Sequence, residues 1–88
     1  MAARITLNIN SAGEFELWLN PEGRDLLVKK LLALSETNEH FHLMPSEVPS
    51  DVEVSTRPYR PSDKLLEHGK VLFRLDEWDA RYFPHVLE

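Results

Sequence analysis

The 88-residue chain has no cysteine, only three glycines, and ten basic residues against fifteen acidic ones. Without cysteine there is neither a disulfide nor a thiolate metal ligand to supplement a small core. Three glycines are too few for a backbone phosphate cradle, and the chain holds no glycine-rich phosphate loop, nucleophile elbow or cysteine nucleophile. We therefore expect no enzyme. A hydrolase pairing Asp76, Glu77 or Asp79 with a histidine is the catalytic reading left open, and any acidic tail would offer as much. No apolar run approaches the roughly 20 residues that span a bilayer. Met1-Ala2-Ala3-Arg4 passes straight into polar alternation, without the apolar stretch of about 7 to 15 residues of a secretory signal. These absences lead to the expectation of cytoplasmic residence and no membrane partner. The formal charge of -5 disfavours phosphate backbones, so nucleic acid is not expected as a ligand, and it would steer in a basic protein. Mild acidity also serves plain solubility.

What is present patterns as one domain over residues 1–88, since separate cores need roughly 50 or more residues each. In residues 4–19, Ile5, Leu7 and Ile9 alternate with Thr6, Asn8 and Asn10, and Phe15, Leu17 and Leu19 alternate with Glu16 and Trp18. Period two marks half-buried strands, and Ser11-Ala12-Gly13 between them predicts an antiparallel hairpin. Asn20 as N-cap, Pro21 at the first helical position and Glu22 and Asp25 near the positive end predict a helix over 21–36. Leu27, Val28, Leu31, Leu32 and Leu34 form its apolar stripe, expected to cover the sheet. Gly23 reads as a weak point costing up to about 1 kcal/mol against Ala, and Thr37-Asn38 as the stop.

Residues 39–44 read as a third strand, Phe41 and Leu43 facing one way and His40, His42 and Met44 the other. The proline-rich segment 45–61 leaves room for a short edge strand at Val52-Glu53-Val54-Ser55. Residues 62–68 suggest a short helical turn ending at Gly69, and 70–75 a strand with Val71, Phe73 and Leu75 directed inward. The fold class expected is α+β: a small, mostly antiparallel sheet of four to five strands (β-β-α-β-(β)-β) with one helix packed on one face. Leu72 and Arg74 would then share the outer face with Trp18, Met44 and the two histidines.

The tail 76–88 combines acid with aromatics. Either Trp78, Tyr82 and Phe83 fold back over Trp18 and Leu72 as a lid, or some stay exposed beside carboxylates and suit a basic partner. The residues expected to bind a partner are Trp18, His40, His42, Arg74, Asp76, Glu77, Trp78 and Asp79. No cofactor and no metal site are expected. His40 and His42 are the candidates for one, but two ligands would need His68, His85 or a carboxylate such as Glu39 to converge on them.

The order of an N-terminal hairpin, a leucine-rich helix (Gly23-Arg24-Asp25-Leu26-Leu27 through Leu31-Leu32-Ala33-Leu34) and Asn38-Glu39-His40-Phe41-His42-Leu43 resembles a bacterial polymorphic-toxin immunity family, number thirty-two. The resemblance lies mainly over residues 4–44, sharpest at the His-x-His-Leu run after the helix. The sequence departs from it after Met44, in the proline-rich segment and the aromatic acidic tail. The resemblance implies a small cytoplasmic protein that neutralises a toxin encoded beside it by stoichiometric inhibition, its partner a basic toxin domain. Two other readings stand beside it: a metal-binding module on the His40/His42 face, and a self-associating accessory domain that forms a homodimer through an open sheet face.

Overall fold

The computed structural model describes residues 2–46 and 51–88; residues 47–50 of the proline-rich segment lie outside the described residues. Ile5–Ile9 (β1) and Phe15–Leu19 (β2) pair as an antiparallel hairpin. Asn10 organises the turn, its Oδ1 accepting from the N–H groups of Ala12 and Glu14. Gly13 takes a φ of 84°, a value side chains with a Cβ avoid. The register sets Ile5 opposite Leu19 and Leu7 opposite Leu17, so these residues share one face, and Thr6, Asn8, Glu16 and Trp18 share the other.

Asn20 caps the helix Pro21–Leu32 (α1). Its Oδ1 accepts from Gly23 N–H at 2.7 Å and from Arg4 N–H at 2.8 Å, while its Nδ2 donates to the Ala2 carbonyl at 3.0 Å. One buried amide thus fixes both the helix start and the chain entering β1. Gly23 is buried, and a Cβ there would collide with the Arg4 carbonyl oxygen. The residue that reads as a weak point lets α1 approach the strand this closely.

The helix ends at Leu32 rather than at residue 36. Asn38 donates its side-chain amide to the Ala33 carbonyl at 2.9 Å, and Ser35 and Asn38 exchange two backbone bonds of 3.1 Å. Those bonds satisfy the chain end in a turn instead of a further helical turn. Leu27 and Leu34 of the stripe pack against the core and Leu26 joins them, whereas Val28, Leu31 and Leu32 stay exposed. The stripe therefore covers the sheet only in part.

His40–Met44 (β3) lies between Val52–Glu53 (β4), parallel to it, and Gly69–Leu72, antiparallel to it. The predicted helical turn is instead a strand: Lys64–Leu65 (β5) pairs with β1, and Leu66 N–H donates to the Leu7 carbonyl at 2.9 Å. A lone helical turn fixes several dihedrals for one hydrogen bond, while the free edge of β1 offers pairing at once. The strand Gly69–Leu72 (β6) stops short of residue 75, although Phe73 N–H still donates to the Glu39 carbonyl at 2.6 Å. Phe73 then turns to meet Trp78, ring centroids 6.4 Å apart. The tail forms a helix, Asp76–Tyr82 (α2), and a 3-10 turn, Pro84–Leu87.

The architecture is α+β, with two three-stranded sheets ordered β2-β1-β5 and β4-β3-β6 in place of the single sheet expected. The chain after β4 stitches them: Val54 N–H donates to the Met44 carbonyl at 2.8 Å and Ser55 N–H to the Ile5 carbonyl at 2.7 Å. Ile5, Leu7, Phe41, Leu43, Val52 and Val54 are the buried core between the sheets and α1, with Leu66 and Val71 at its rim. No helix among the described residues is long and apolar enough to cross a membrane.

Candidate interaction surface

Trp18 does not share a face with His40, His42, Leu72 and Arg74. It belongs to the β2-β1-β5 sheet, whereas the histidines and Leu72 lie in the other. Its cover is Tyr59, stacked at 4.1 Å and 12°, not the C-terminal tail. The Trp18 Nε1 donates to Asn8 Oδ1 at 2.8 Å, and Asn8 Nδ2 donates to Glu16 Oε1 at 3.0 Å. Arg60 closes the chain of bonds by donating Nη1 and Nη2 to the two Glu16 oxygens at 2.8 and 3.1 Å, and Nη1 to Asp63 Oδ1 at 2.9 Å. Its guanidinium carbon lies 5.2 Å from the Trp18 ring centroid. The Arg60 guanidinium first, and the Asn8 amide second, pull the Glu16 carboxyl down to about 2, and the two carboxylates raise Arg60 in turn. A bidentate arginine with two acids is a strong, directional pair. Here it fastens the 58–63 loop over the outer face of the hairpin, so that face is occupied by the chain itself.

On the outer face of the second sheet His40, Lys70 and Leu72 are exposed, and His42 and Met44 are half-buried. The register sets His40 opposite Leu72 and His42 opposite Lys70; Leu72 is 62% exposed. The imidazoles of His40 and His42 meet edge to face at 5.1 Å. His42 and His68 line one hollow of about 270 Å³ with Met44 and Lys70. Among the described residues no three histidines, aspartates or glutamates converge as a metal would require.

The C-terminal arm follows β6 directly and is organised by Arg74. Its Nε donates to Asp79 Oδ1 at 2.8 Å, and its guanidinium carbon lies 5.5 Å from the Trp78 ring and 5.2 Å from the Phe83 ring. Planar guanidinium on aromatic faces is a favourable contact, and here it ties the strand end to α2. Asp79 and Trp78 are thereby half-buried and structural, while Asp76 and Glu77 remain exposed at the first turn of α2. Their charges complement the positive end of that short helix, which has no side-chain cap. Glu39, Glu77, Trp78, Arg81 and Tyr82 line a hollow of about 470 Å³. Arg81 is laid over the Tyr82 ring at 5.2 Å. Among the described residues neither Glu39 nor Glu77 has a cationic partner.

Of the residues expected to meet a partner, the fold thus gathers Arg74, Asp76, Glu77, Trp78 and Asp79 on the arm. His40 and His42 sit on the adjoining sheet face and Trp18 lies apart. Glu39, which the sequence offered only as a further metal ligand, and Tyr82, which it offered only as one of the tail aromatics, complete the hollow. The signal for Tyr82 was its spacing of four from Trp78, which stacks the two on one helical side. Nothing local marked Glu39 as a neighbour of the arm, because its position there depends on the long-range pairing of β3 with β6. Comparison with known proteins finds no matching family model, no matching curated protein and no matching solved structure.

Proposed function

We propose that this chain is an immunity-type protein that binds a basic toxin domain and neutralises it by stoichiometric inhibition in the cytoplasm. The observation that carries the reading is the hollow of about 470 Å³ lined by Trp78, Tyr82, Arg81 and the carboxylates Glu39 and Glu77, which have no cationic partner within salt-bridge distance among the described residues. A lysine or arginine side chain entering it gains two charge-assisted hydrogen bonds and an aromatic wall, the combination that makes interface hot spots. The net charge of -5 speeds the encounter with a basic surface. Exposed Tyr82, Phe83, Val86 and Leu87 along the arm supply the apolar area around it. The protein covers the toxin's active site or substrate groove, and against a nuclease its carboxylates take the place of phosphates.

The test is co-expression with the toxin domain encoded next to this chain's gene. Growth should be restored by the wild-type chain and lost again with a Glu39→Lys/Glu77→Lys variant that folds normally by circular dichroism. Growth arrest unaffected by the wild-type chain would refute the reading.

A further inference from the structure

The first sheet ends at β2, an edge strand that carries exposed apolar side chains. Phe15, Leu17 and Leu19 lie on the helix-bearing side of β2 and are 62%, 41% and 39% exposed. In the same layer, α1 leaves Val28, Leu31 and Leu32 in solvent, Leu32 at 81%. The strand's backbone is equally unspent. Asn10 N–H bonds to the Glu14 carbonyl and Asn20 N–H to the Arg4 carbonyl. Antiparallel alternation then turns the N–H and C=O groups of Glu16 and Trp18 toward β1 and those of Phe15, Leu17 and Leu19 toward the free edge. β2 ends the sheet order β2-β1-β5, and within Phe15-Glu16-Leu17-Trp18-Leu19 there is no lysine, proline or bulge of the kind that protects a solvent-facing edge.

The surface area fits a missing partner. A compact chain of this mass exposes about 5,300 Å², whereas this one exposes 6465 Å². Its radius of gyration is 15.0 Å, against about 12 Å for a compact chain of this length. The excess, roughly 1,100 Å², is more than the about 800 Å² that each partner buries in a stable interface. The large exposed apolar residues lie on β2 (Phe15, Leu17, Leu19), on α1 (Val28, Leu31, Leu32), on the C-terminal arm, and singly at Tyr59 and Leu72.

We propose that the chain forms a two-fold homodimer by antiparallel pairing of β2 with β2 of a second copy, centred on Leu17. A two-fold interface must be self-complementary, and this strand is: centring on Leu17 sets Leu17 against itself and Phe15 against Leu19, all apolar and on one face. Glu16 falls opposite Trp18 rather than opposite another acid, and its charge is held by Arg60. Pairing joins the two first sheets into one, and the exposed flanks of the two α1 helices share its upper layer. The arm follows β6, in the other sheet, so self-association leaves the partner-binding hollow of each copy unoccupied. The dimer does not depend on the toxin-binding reading.

Sedimentation equilibrium and amide hydrogen exchange on the wild-type protein test it, together with single-cysteine variants made clean by the absence of native cysteine. The expected result is a species of twice the 10.2 kDa chain mass with the Phe15, Leu17 and Leu19 amides protected. Leu17→Cys should cross-link to itself on oxidation while Val86→Cys does not. Leu17→Lys should shift the equilibrium to monomer by at least tenfold and expose those amides. A monomer up to millimolar concentration, or a dimer in which these amides exchange freely, would overturn the proposal. If Leu17→Lys failed to fold, the wild-type exchange and the cross-linking pattern would still decide it.

Discussion

Arg74 Nε donates to Asp79 Oδ1 at 2.8 Å, a bond that joins the chain just after β6 to the middle of α2, a helix whose N-terminus has no side-chain cap. Arg74→Met should therefore loosen the arm without unfolding the core. Local opening of α2 should become cheaper by about 1–2 kcal/mol, read as faster amide exchange at residues 79–83 and a red-shifted Trp78 emission. The main melting transition should move little. An arm equally protected in the variant would show that the aromatic contacts alone hold it.

Gly23→Ala gives an outcome opposite in sign to helix propensity. On an open helix the change stabilises by about 1 kcal/mol, but here the new methyl meets the Arg4 carbonyl. Overpacking against backbone should instead destabilise by about 1–3 kcal/mol, measured by urea denaturation. A gain in stability would show that α1 stands farther from the strand.

Asn20 serves three partners, so Asn20→Ala should cost more than an ordinary cap, about 2–3 kcal/mol. Asn20→Asp keeps the acceptor for Gly23 and Arg4 and loses the donor to Ala2, and should fall between the two in chemical denaturation. Equal losses for both variants would place the whole effect in the Ala2 bond.

Acid should undo the loop clamp over the hairpin. The Glu16 carboxyl is lowered from 4.5 to about 2, chiefly by Arg60. A folded-state value below the unfolded one gives stability that is fully present above pH 4.5 and is lost as pH falls toward 2. The melting temperature of wild type should therefore exceed that of Arg60→Met at neutral pH, with the gap closing between pH 4.5 and 2. Carboxyl NMR of Glu16 should place its midpoint near 2 in wild type and distinctly higher in the variant, where the Asn8 amide still lowers it. A wild-type midpoint near 4.5 would mean that the clamp does not form.

Period-two alternation made the hairpin readable, and Asn20-Pro21 made the helix start readable, because both are decided by neighbouring residues. What depends on distant pairing was not. Lys64-Leu65-Leu66-Glu67 between Ser62 and Gly69 suits a helical turn as well as a strand, and the edge of β1 decides between them. The split into two sheets and the stacking of Tyr59 on Trp18 arise from where the proline-rich segment crosses β1, a path no local spacing encodes. Five of the candidate site residues (Arg74, Asp76, Glu77, Trp78 and Asp79) came together because they are contiguous or nearly so. Trp18 was misplaced because a strand's facing says nothing of which sheet its neighbours join.

The most direct measurement is a calorimetric titration of the neighbouring toxin domain into wild-type protein and the Glu39→Lys/Glu77→Lys variant over a range of salt concentrations. Wild type should saturate at one chain per toxin domain, with affinity falling as salt rises, and the variant should lose at least tenfold in affinity together with most of that salt dependence. Identical affinity and salt dependence for the two proteins would contradict the assignment of the acidic, aromatic hollow as the binding surface.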